Sequence, residues 1–301
     1  IVDEAHRLNE KSGLFSNLGE NQVKELMHSA KFSVFFIDEA QRVTLKDIGS
    51  VDLIKKFAQE LDVEVFEGEL ASQFRCDGSD GYIAWLDDVL EIRETANNND
   101  LGMDYDIQIV DSPNVLRNMI KEKNKINNKA RIVAGYCWEW ISDGKNNRDV
   151  HDIVIEEHDF SISWNLGNDI WAIAEESVDE AGCIHTCQGL EFDYVGVIIG
   201  DDLRFEDGQV MTDYTKRAKT DQSIKGIKKW MKEDPEKATK AVDAIIRNTY
   251  RTLITQKQKG CYVYCTDEKL AKYLKRRLVK VYDERSETKK LLVAERAQQY
   301  K

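Results

Sequence analysis

The chain has 301 residues, of which 42% are hydrophobic and 33% charged, and its formal net charge is −12. This balance is typical of a soluble protein with one or two domains and a sizeable core. The acidic charge argues against a surface that coats nucleic acid or membrane as a whole, but it leaves room for a local basic groove. No apolar run approaches the ~20 residues of a membrane span. Six cysteines without small-scaffold spacing indicate reduced thiols in a cytoplasmic protein.

Strand-like and helix-like segments alternate along the chain, which predicts an α/β fold with parallel sheets flanked by helices. In chain order the pattern predicts a buried parallel strand at 31–38, a helix at 50–61, a strand at 63–70, an amphipathic helix at 79–90, a polar loop at 95–104, a helix at 113–127 and strands at 130–138, 193–203 and 260–266. The charged stretch 204–248 between the last two strands is mostly helical in pattern.

Two acidic boxes stand close together, "IVDEAH" at 1–6 and "VFFIDEAQRV" at 34–43. An apolar strand that ends in Asp-Glu is typical of a nucleotide-hydrolysis site, because ligands of open α/β sheets bind at the carboxyl ends of strands. Asp3 would hold the Mg²⁺ that bridges the β- and γ-phosphates of ATP. Glu4 would act as general base on the attacking water. Solvated strand-end carboxylates are common, so either box taken alone is weak evidence for such a site.

The second acidic box is predicted to have another role, because a duplicate metal site would need its own phosphate loop. We expect Gln41 to lie near the γ-phosphate, where its amide can sense whether that phosphate is present. The alternative is that Gln41 caps the following turn. No phosphate loop of the type G-x-x-x-x-G-K-[ST] occurs in the sequence. We therefore interpret the sequence as the C-terminal part of a P-loop enzyme whose first domain is truncated at the metal-binding strand.

Later segments extend this series of motifs. The segments concerned are "ELASQFRCDGSDGYIAWLDDVL" at 69–90, "RIVAGYCWEW" at 131–140, "IHTCQGLEFDYVGVIIG" at 184–200 and "NTYRTLITQKQKGCYVYC" at 248–265. With the two acidic boxes as motifs II and III, they resemble motif IV, a family-specific stretch, motif V and motif VI of superfamily 1 helicase-type ATPases. The chain is similar to the Schlafen-type helicase-like domains of a bacterial family over roughly residues 1–278. This resemblance implies RecA-like domains that bind ATP and Mg²⁺.

The resemblance assigns arginines to the γ-phosphate. Arg75 of motif IV would reach across a cleft as an arginine finger; the alternative is a structural ion pair with Glu69 or Asp77. In motif VI the family's usual Thr-Arg is replaced by Thr-Gln at Gln256, and a neutral amide cannot stabilise developing phosphate charge. Gln256 would still contact the nucleotide, and Arg251 would be an imperfect substitute because it lies more than one helical turn earlier.

Motif V is the most specific of these signals. Gly189 would let the backbone approach a ligand closely, and Glu191 resembles the family's ribose-contacting carboxylate. The resemblance also implies that His185, Thr186 and Gln188 contact the nucleic-acid backbone or couple it to the nucleotide.

A basic segment from Lys216 to Lys232 contains seven basic residues against the single acid Asp221. On an acidic chain this reversal predicts a surface that follows a phosphate backbone, with Lys225, Lys228 and Lys229 as contacts. The alternative is a solvated helical face. The predicted partner is single-stranded nucleic acid, with DNA favoured over RNA, and no membrane.

Two other patterns suggest ligands. The first pattern is Cys183-x-His185-x-Cys187 with Cys261-x-x-x-Cys265, which could form a zinc site. The alternative is that these cysteines are core residues, because both segments have the pattern of core strands. The second pattern is a group of tryptophans that could stack on bases or fill a core, namely Trp138, Trp140, Trp164 and Trp171.

The sequence therefore predicts a remnant of a first RecA-like ATPase domain at 1–68 and a second RecA-like domain at 69–283. A charged helical insertion at about 204–247 and a charged tail at 284–301 complete the division. The leading functional hypothesis is the C-terminal portion of a nucleic-acid-dependent ATPase motor, inactive without a P-loop segment. The runner-up is a non-catalytic RecA-like module that binds nucleic acid or protein, and a third hypothesis is a plain scaffold.

Overall fold

A computed structural model describes residues 1–12, 18–69, 80–94, 105–141, 147, 149–166, 171–187, 190–255 and 257–281, without the side chains of 80 and 257. The chain forms two compact units, Ile1–Ala71 with Asp221–Thr249 and Ser72–Thr220 with Tyr250–Lys301. The first unit thus includes part of the charged stretch that was predicted as an insertion. The loop predicted at 95–104 and the tail at 284–301 lie outside the described residues.

The second unit is built on a seven-stranded sheet. Its strands and those of an adjoining hairpin are β1 (Asp106–Ile109), β2 (Ala130–Ala134), β3 (Ile153–Ile155), β4 (Phe160–Trp164), β5 (Glu180–Gly182), β6 (Phe192–Ile199), β7 (Leu203–Glu206), β8 (Gln209–Thr212) and β9 (Lys257–Cys265). The sheet order is β1-β9-β6-β2-β5-β4-β3, and every pair is parallel except β3 with β4. This confirms the predicted α/β fold, and a mostly parallel sheet flanked by helices is consistent with a RecA-like fold.

Strand β6 shows why the centre of the sheet was predictable. Its sequence "FDYVGVII" is apolar at nearly every position, and all but Tyr194 are buried, as expected for a parallel strand covered on both faces. Val197 pairs with Val263 of β9 on one side and Val133 of β2 on the other. The strands predicted at 130–138, 193–203 and 260–266 are therefore confirmed, although β2 ends at Ala134 and β9 already begins at Lys257.

The described helices are α1 (Gln22–His28), α2 (Val51–Glu60), α3 (Asp80–Val89), α4 (Pro113–Asn127), α5 (Ile184–Cys187), α6 (Ile227–Glu233), α7 (Pro235–Thr255) and α8 (268–281). Helices α2 to α4 confirm the predictions for 50–61, 79–90 and 113–127. Two of them have serine N-caps, since Ser50 accepts a hydrogen bond from the Leu53 amide at 3.1 Å and Ser112 one from the Asn114 amide at 3.2 Å. Within the described parts of the chain, no helix combines the length and the apolar character needed to cross a membrane.

Two predicted strands of the first unit are wrong. Residues 31–38 form a single parallel bridge, Val2 with Phe35, and Phe32 is 77% exposed. Residues 63–69 have neither helical nor strand structure, and Phe66 is 79% exposed. Strands depend on neighbours for their hydrogen bonds, and an apolar composition alone does not supply a partner.

The start of the charged stretch was predicted to be helical, and this prediction is also wrong. Strands β7 and β8 form an antiparallel hairpin in which Leu203 pairs with Thr212 and Glu206 with Gln209. The two residues between the strands, Asp207 and Gly208, have φ values of 49° and 86°. Asp-Gly with two positive φ angles is the preferred two-residue hairpin turn, and this local signal overrides the charged pattern around it.

Candidate nucleotide and nucleic-acid site

The first acidic box forms a tight turn in the first unit. Backbone hydrogen bonds hold it next to the second box, from Val2 to the Val34 carbonyl at 2.7 Å and from Ala5 to the Phe36 carbonyl at 2.8 Å. Asp3 is exposed, and its Oδ1 accepts a hydrogen bond from the Glu4 amide at 2.9 Å. The turn therefore presents the Asp3 carboxylate to solvent, where a hard cation could reach its oxygens.

Glu4 has an unusual backbone conformation and lies beside a buried histidine, His6. Its φ of 52° lies in the left-handed region, and its Oε2 is 3.2 Å from Nε2 of His6. His6 is only 1% exposed. Burial lowers the pKa of His6 below its ordinary value, against the opposing charges of Glu4 and Asp38. Burial therefore favours the neutral imidazole of His6 beside the Glu4 carboxylate.

The second acidic box begins a short 3₁₀ turn at Glu39–Gln41. Asp38 caps this turn through the Ala40 amide at 3.0 Å and accepts a second hydrogen bond from Nε2 of Gln41 at 2.8 Å. Glu39 in turn accepts a hydrogen bond from the Val51 amide at the start of α2, at 2.8 Å. The structure thus brings Gln41 next to a carboxylate of its own turn, and its predicted role at the γ-phosphate stays a prediction.

Two residues of motif V follow the carboxyl end of β5. His185 is exposed on the short helix α5, and Thr186 donates a hydrogen bond to Oδ1 of Asn165 at 2.9 Å. The ring of His185 lies 6.5 Å from that of Tyr136, which follows β2. Gln188 and Gly189 lie outside the described residues. An exposed imidazole beside a fixed hydroxyl offers hydrogen-bonding groups of the kind that contact a phosphate backbone.

Glu191 lies at the opposite end of the sheet, immediately before β6. It is exposed, and its Oε2 accepts a hydrogen bond from Nε2 of Gln258 at 3.0 Å. Lys257 of β9 pairs with Phe192 of β6, so the two strands begin side by side. Gln256 itself is outside the described residues. The sheet therefore places Glu191 next to the start of the motif VI strand, and its role at a nucleotide stays a prediction.

Arg251 occupies a buried position in the second unit. It is 8% exposed, and its Nε lies 2.5 Å from Oδ1 of Asp87 on α3. The other oxygen of Asp87 accepts a hydrogen bond from Nε of Arg93 at 2.7 Å. Sequence reasoning did not identify Asp87 as this partner. Arg75, the other predicted arginine finger, lies outside the described residues.

The predicted lysine contacts lie in the first unit on or just before α6. Lys225, Lys228 and Lys229 are exposed. Lys229 is 3.6 Å from Glu233 within the same helix, whereas Lys225 and Lys228 form no ion pair within the described parts of the chain. Exposed, uncompensated ammonium groups remain available for phosphate.

The zinc and tryptophan alternatives have structural explanations. The four cysteines of the two patterns are buried in the core of the second unit, and the described residues form no cluster suited to a metal ion. Trp164 and Trp171 are core residues, while Trp138 and Trp140 are partly buried and pack against the core.

A polar network in the core was not identified from the sequence. Tyr250 of α7 donates a hydrogen bond to Asp202 and accepts one from the Gly200 amide at 3.0 Å. Arg217 lies 3.2 Å from the other oxygen of Asp202, which is fully buried. Burial and the charge of Asp202 raise the pKa of Tyr250 well above its ordinary value. The signal that could have revealed this network is the pair of aspartates, Asp201 and Asp202, which follows the buried strand β6 after Gly200.

Comparisons with known proteins show which family the chain belongs to. The family described as Schlafen group 3, DNA/RNA helicase domain, matches residues 1–267. The uncharacterized protein YPL245W of Saccharomyces cerevisiae is 27% identical over 300 residues, a match that covers 92% of this chain and 64% of that protein. The chain thus spans just under two thirds of the length of this relative. Because the family match extends over most of its residues, the chain belongs to the Schlafen group 3 DNA/RNA helicase domain family.

Proposed function

We propose that the chain is the motif II to VI portion of a superfamily 1 ATPase that couples ATP hydrolysis to translocation on nucleic acid or to its remodelling. The observation that carries this proposal is the family match, which spans all of these motifs in one continuous stretch. The side-by-side starts of β6 and β9, which bring Glu191 close to the motif VI segment, support it.

The first acidic turn is the part of this chain suited to Mg²⁺ and ATP. Mg²⁺ prefers carboxylate oxygens, and Asp3 offers an exposed carboxylate beside a second one, that of Glu4. Bound Mg²⁺ and ATP would supply the phosphoryl group and the charge that activates it. Asp3 would hold the metal, and Glu4 would accept the proton of the attacking water. A phosphate loop from a segment outside this sequence would complete the site, because the sequence contains no such motif.

Single-stranded nucleic acid is the proposed partner, and we favour DNA over RNA. His185 and Thr186 would contact its backbone in the second unit, and Lys225, Lys228 and Lys229 in the first. The support for this is the exposure of the lysines and of His185. These groups bind phosphate without reading the base sequence.

A second candidate function is a RecA-like module that binds nucleic acid without hydrolysis. The specific observation that favours it is the buried ion pair of Arg251 with Asp87. An arginine whose guanidinium is already paired in the core is less available to a γ-phosphate, and Gln256 cannot take its place. In this case the acidic turn would be a relic of an ATPase ancestor.

ATP turnover with and without single-stranded DNA, measured in the protein that carries this chain, separates the two functions. The motor predicts hydrolysis stimulated by DNA and lowered at least about tenfold by Asp3→Asn, which equals about 1.4 kcal/mol of barrier. The matched control is Asp62→Asn, because Asp62 is exposed and has a left-handed φ of 53° that Asn also adopts.

One result contradicts the motor, and another contradicts the assignment of the metal. Binding of DNA with no turnover above background, unchanged by Asp3→Asn, would establish the non-catalytic module. Turnover that is equally high in the wild type and in Asp3→Asn would show that the first acidic turn does not hold the metal.

A further inference from the structure

A cleft of about 310 Å³ opens in the second unit, at the lower end of the range for small-molecule sites. Asp201 follows the carboxyl end of β6, Thr266 that of β9, and Trp138 follows β2, so three neighbouring strands point at it. The turn Glu156–His158 lies beside it. Glu191 precedes β6 at the other end of the strands, so within the second unit this cleft is separate from Glu191.

The charges that line the cleft are mostly negative. Three acidic residues line it, Glu156, Glu157 and Asp201, together with one basic residue, Lys216. Asp201 accepts a hydrogen bond from Thr266 at 2.7 Å. Within the described parts of the chain, the side chains of Glu156 and Glu157 have neither a hydrogen bond nor an ion pair. Such a lining repels phosphates and attracts cations.

A buried phenol gives the cleft a second, independent feature. Tyr264 is 4% exposed. Its ring is nearly perpendicular to that of His158, and the two ring centroids are 5.5 Å apart. Its hydroxyl takes part in no hydrogen bond with the described residues. Burial, and then nearby negative charges that include Glu157 and Asp201, raise its pKa to about 12, so the hydroxyl stays protonated. The phenol is thus held by the core, and Tyr264 lines the cleft with a hydroxyl that is open to a partner there.

Trp138 adds an aromatic surface to the same cleft. The side chain is partly buried, and its Nε1 donates a hydrogen bond to the Val154 carbonyl at 3.3 Å, which fixes the indole. Indole faces attract ammonium and guanidinium groups, most strongly where water is partly excluded. Carboxylates and a fixed aromatic face together are the composition of known organic-cation sites.

We propose that this cleft binds an organic cation, an alkylammonium or guanidinium group. Glu156 and Glu157 would accept its N–H donors, and the Tyr264 hydroxyl would be a further, neutral acceptor. The indole of Trp138 would cover its apolar part. The same chemistry comes from two sources, a free polyamine or a basic side chain of a peptide. The proposal concerns a binding site that is independent of ATP hydrolysis.

Calorimetric titration of the whole protein tests the proposal. Spermidine is the first ligand, a blocked Gly-Arg-Gly peptide the second and inorganic phosphate the anionic control. We expect saturable binding of at least one cation and none of phosphate. If only spermidine binds, the ligand is a free polyamine. If only the peptide binds, or if it binds more tightly than spermidine, the ligand is a basic side chain.

Two variants locate the binding. Glu156→Gln with Glu157→Gln keeps the shape of the cleft and should weaken the cation at least about tenfold, since hydrogen bonds to charged groups are the strong ones. Tyr264→Phe removes only the hydroxyl and should weaken it about threefold or more. The matched control is Glu175→Gln with Glu176→Gln, two exposed glutamates at the start of another 3₁₀ turn.

Circular dichroism of each variant checks that it is folded. The proposal is overturned if neither cation binds saturably, if phosphate binds as well as the cations, or if the cleft variants and the control bind equally.

Discussion

At the scale of single residues, burial alters the chemistry of an aspartate in the first unit. Asp47 is half-buried, and its Oδ2 accepts a hydrogen bond from the Val43 amide at 3.3 Å. Burial raises its pKa to about 6, although that hydrogen bond and the charges of Arg7 and Arg42 oppose the shift. Desolvation of the carboxylate is therefore the dominant effect, because it penalises only the charged form.

The raised pKa of Asp47 predicts a pH-dependent loss of stability. An unfolded Asp titrates near pH 3.9, so between about pH 4 and pH 6 the folded unit retains a proton that the unfolded chain has released. The free energy of unfolding therefore falls as the pH rises through this window, and the full penalty is present above about pH 6. Asp47→Asn removes the penalty and should be more stable than the wild type at pH 7.5 by about 1–2 kcal/mol, allowing for solvent screening.

Urea unfolding of the wild type and of Asp47→Asn at pH 4, 5, 6 and 7.5 measures this difference. The advantage of the variant should grow with pH and be smallest at pH 4. The exposed Asp62→Asn serves as the control for loss of one negative charge. A stability difference that does not change with pH would refute the raised pKa of Asp47.

At the scale of elements, a backbone contact supports the first acidic turn. The Ile48 amide donates a hydrogen bond to the Leu8 carbonyl at 2.8 Å, and the next residue, Gly49, lies directly against the turn. A Cβ on residue 49 would lie 1.9 Å from the Ala5 carbonyl oxygen, which is too close for two atoms that are not bonded. The carbonyl belongs to the backbone, so it cannot rotate away as a flexible side chain would. The loop before α2 therefore packs against the acidic turn only because residue 49 has no side chain.

This contact predicts that Gly49→Ala destabilises the first unit. The added methyl forces the loop away from the turn, and overpacking of this kind costs about 1–3 kcal/mol. The matched control is Gly68→Ala, because a Cβ there has nothing within 4 Å; its effect should stay within about 0.5 kcal/mol. Urea unfolding compares the two variants. Equal stabilities would show that the loop yields without cost.

At the scale of the whole molecule, the proposed nucleic-acid contacts must overcome an unfavourable net charge. The chain carries −12 in total, so attraction of a phosphate backbone depends on local cations. Lys225 and Lys228 lack acidic partners within the described residues. Other exposed lysines of the same unit, by contrast, pair with acids in or next to their own helices, as Lys237 does with Asp234 at 2.9 Å.

Because Lys225 and Lys228 lack acidic partners within the described residues, we predict a selective effect of this lysine group on DNA binding. Reversing Lys225, Lys228 and Lys229 to Glu should reduce the slope of affinity against salt by about 0.7 for each lost phosphate contact, and so by about 2 in total. Titration of a labelled single-stranded oligonucleotide at several salt concentrations measures the slope. The same oligonucleotide sequence in RNA tests the preference for DNA.

The control variant replaces Lys24, Lys237 and Lys240 by Glu, which changes the net charge by the same amount. Each of these lysines has an acidic partner within 2.9 Å. Equal losses of affinity in the two triple variants would indicate a general charge effect rather than a binding surface.

The sequence by itself determined the elements whose stability is local or whose burial is nearly complete. Strands β2, β6 and β9 were predictable because parallel strands covered on both faces are apolar throughout. Helices α2 and α4 were predictable because their serine caps and apolar spacing act over a few residues. The helicase-like family was also suggested by the order of the acidic boxes and motif V, and the family match over residues 1–267 confirms the family.

Only the tertiary structure decided which groups meet and how they are charged. Arg251 and Asp87 lie 164 positions apart in the sequence, and no local pattern indicates such a pair. The segment at 31–38 has the composition of a strand, but its pairing depends on distant neighbours. The raised pKa of Asp47 and the lining of the cleft around Tyr264 depend on burial by residues from several elements. Desolvation and ion pairing act through space, so they follow the packed structure rather than the order of residues.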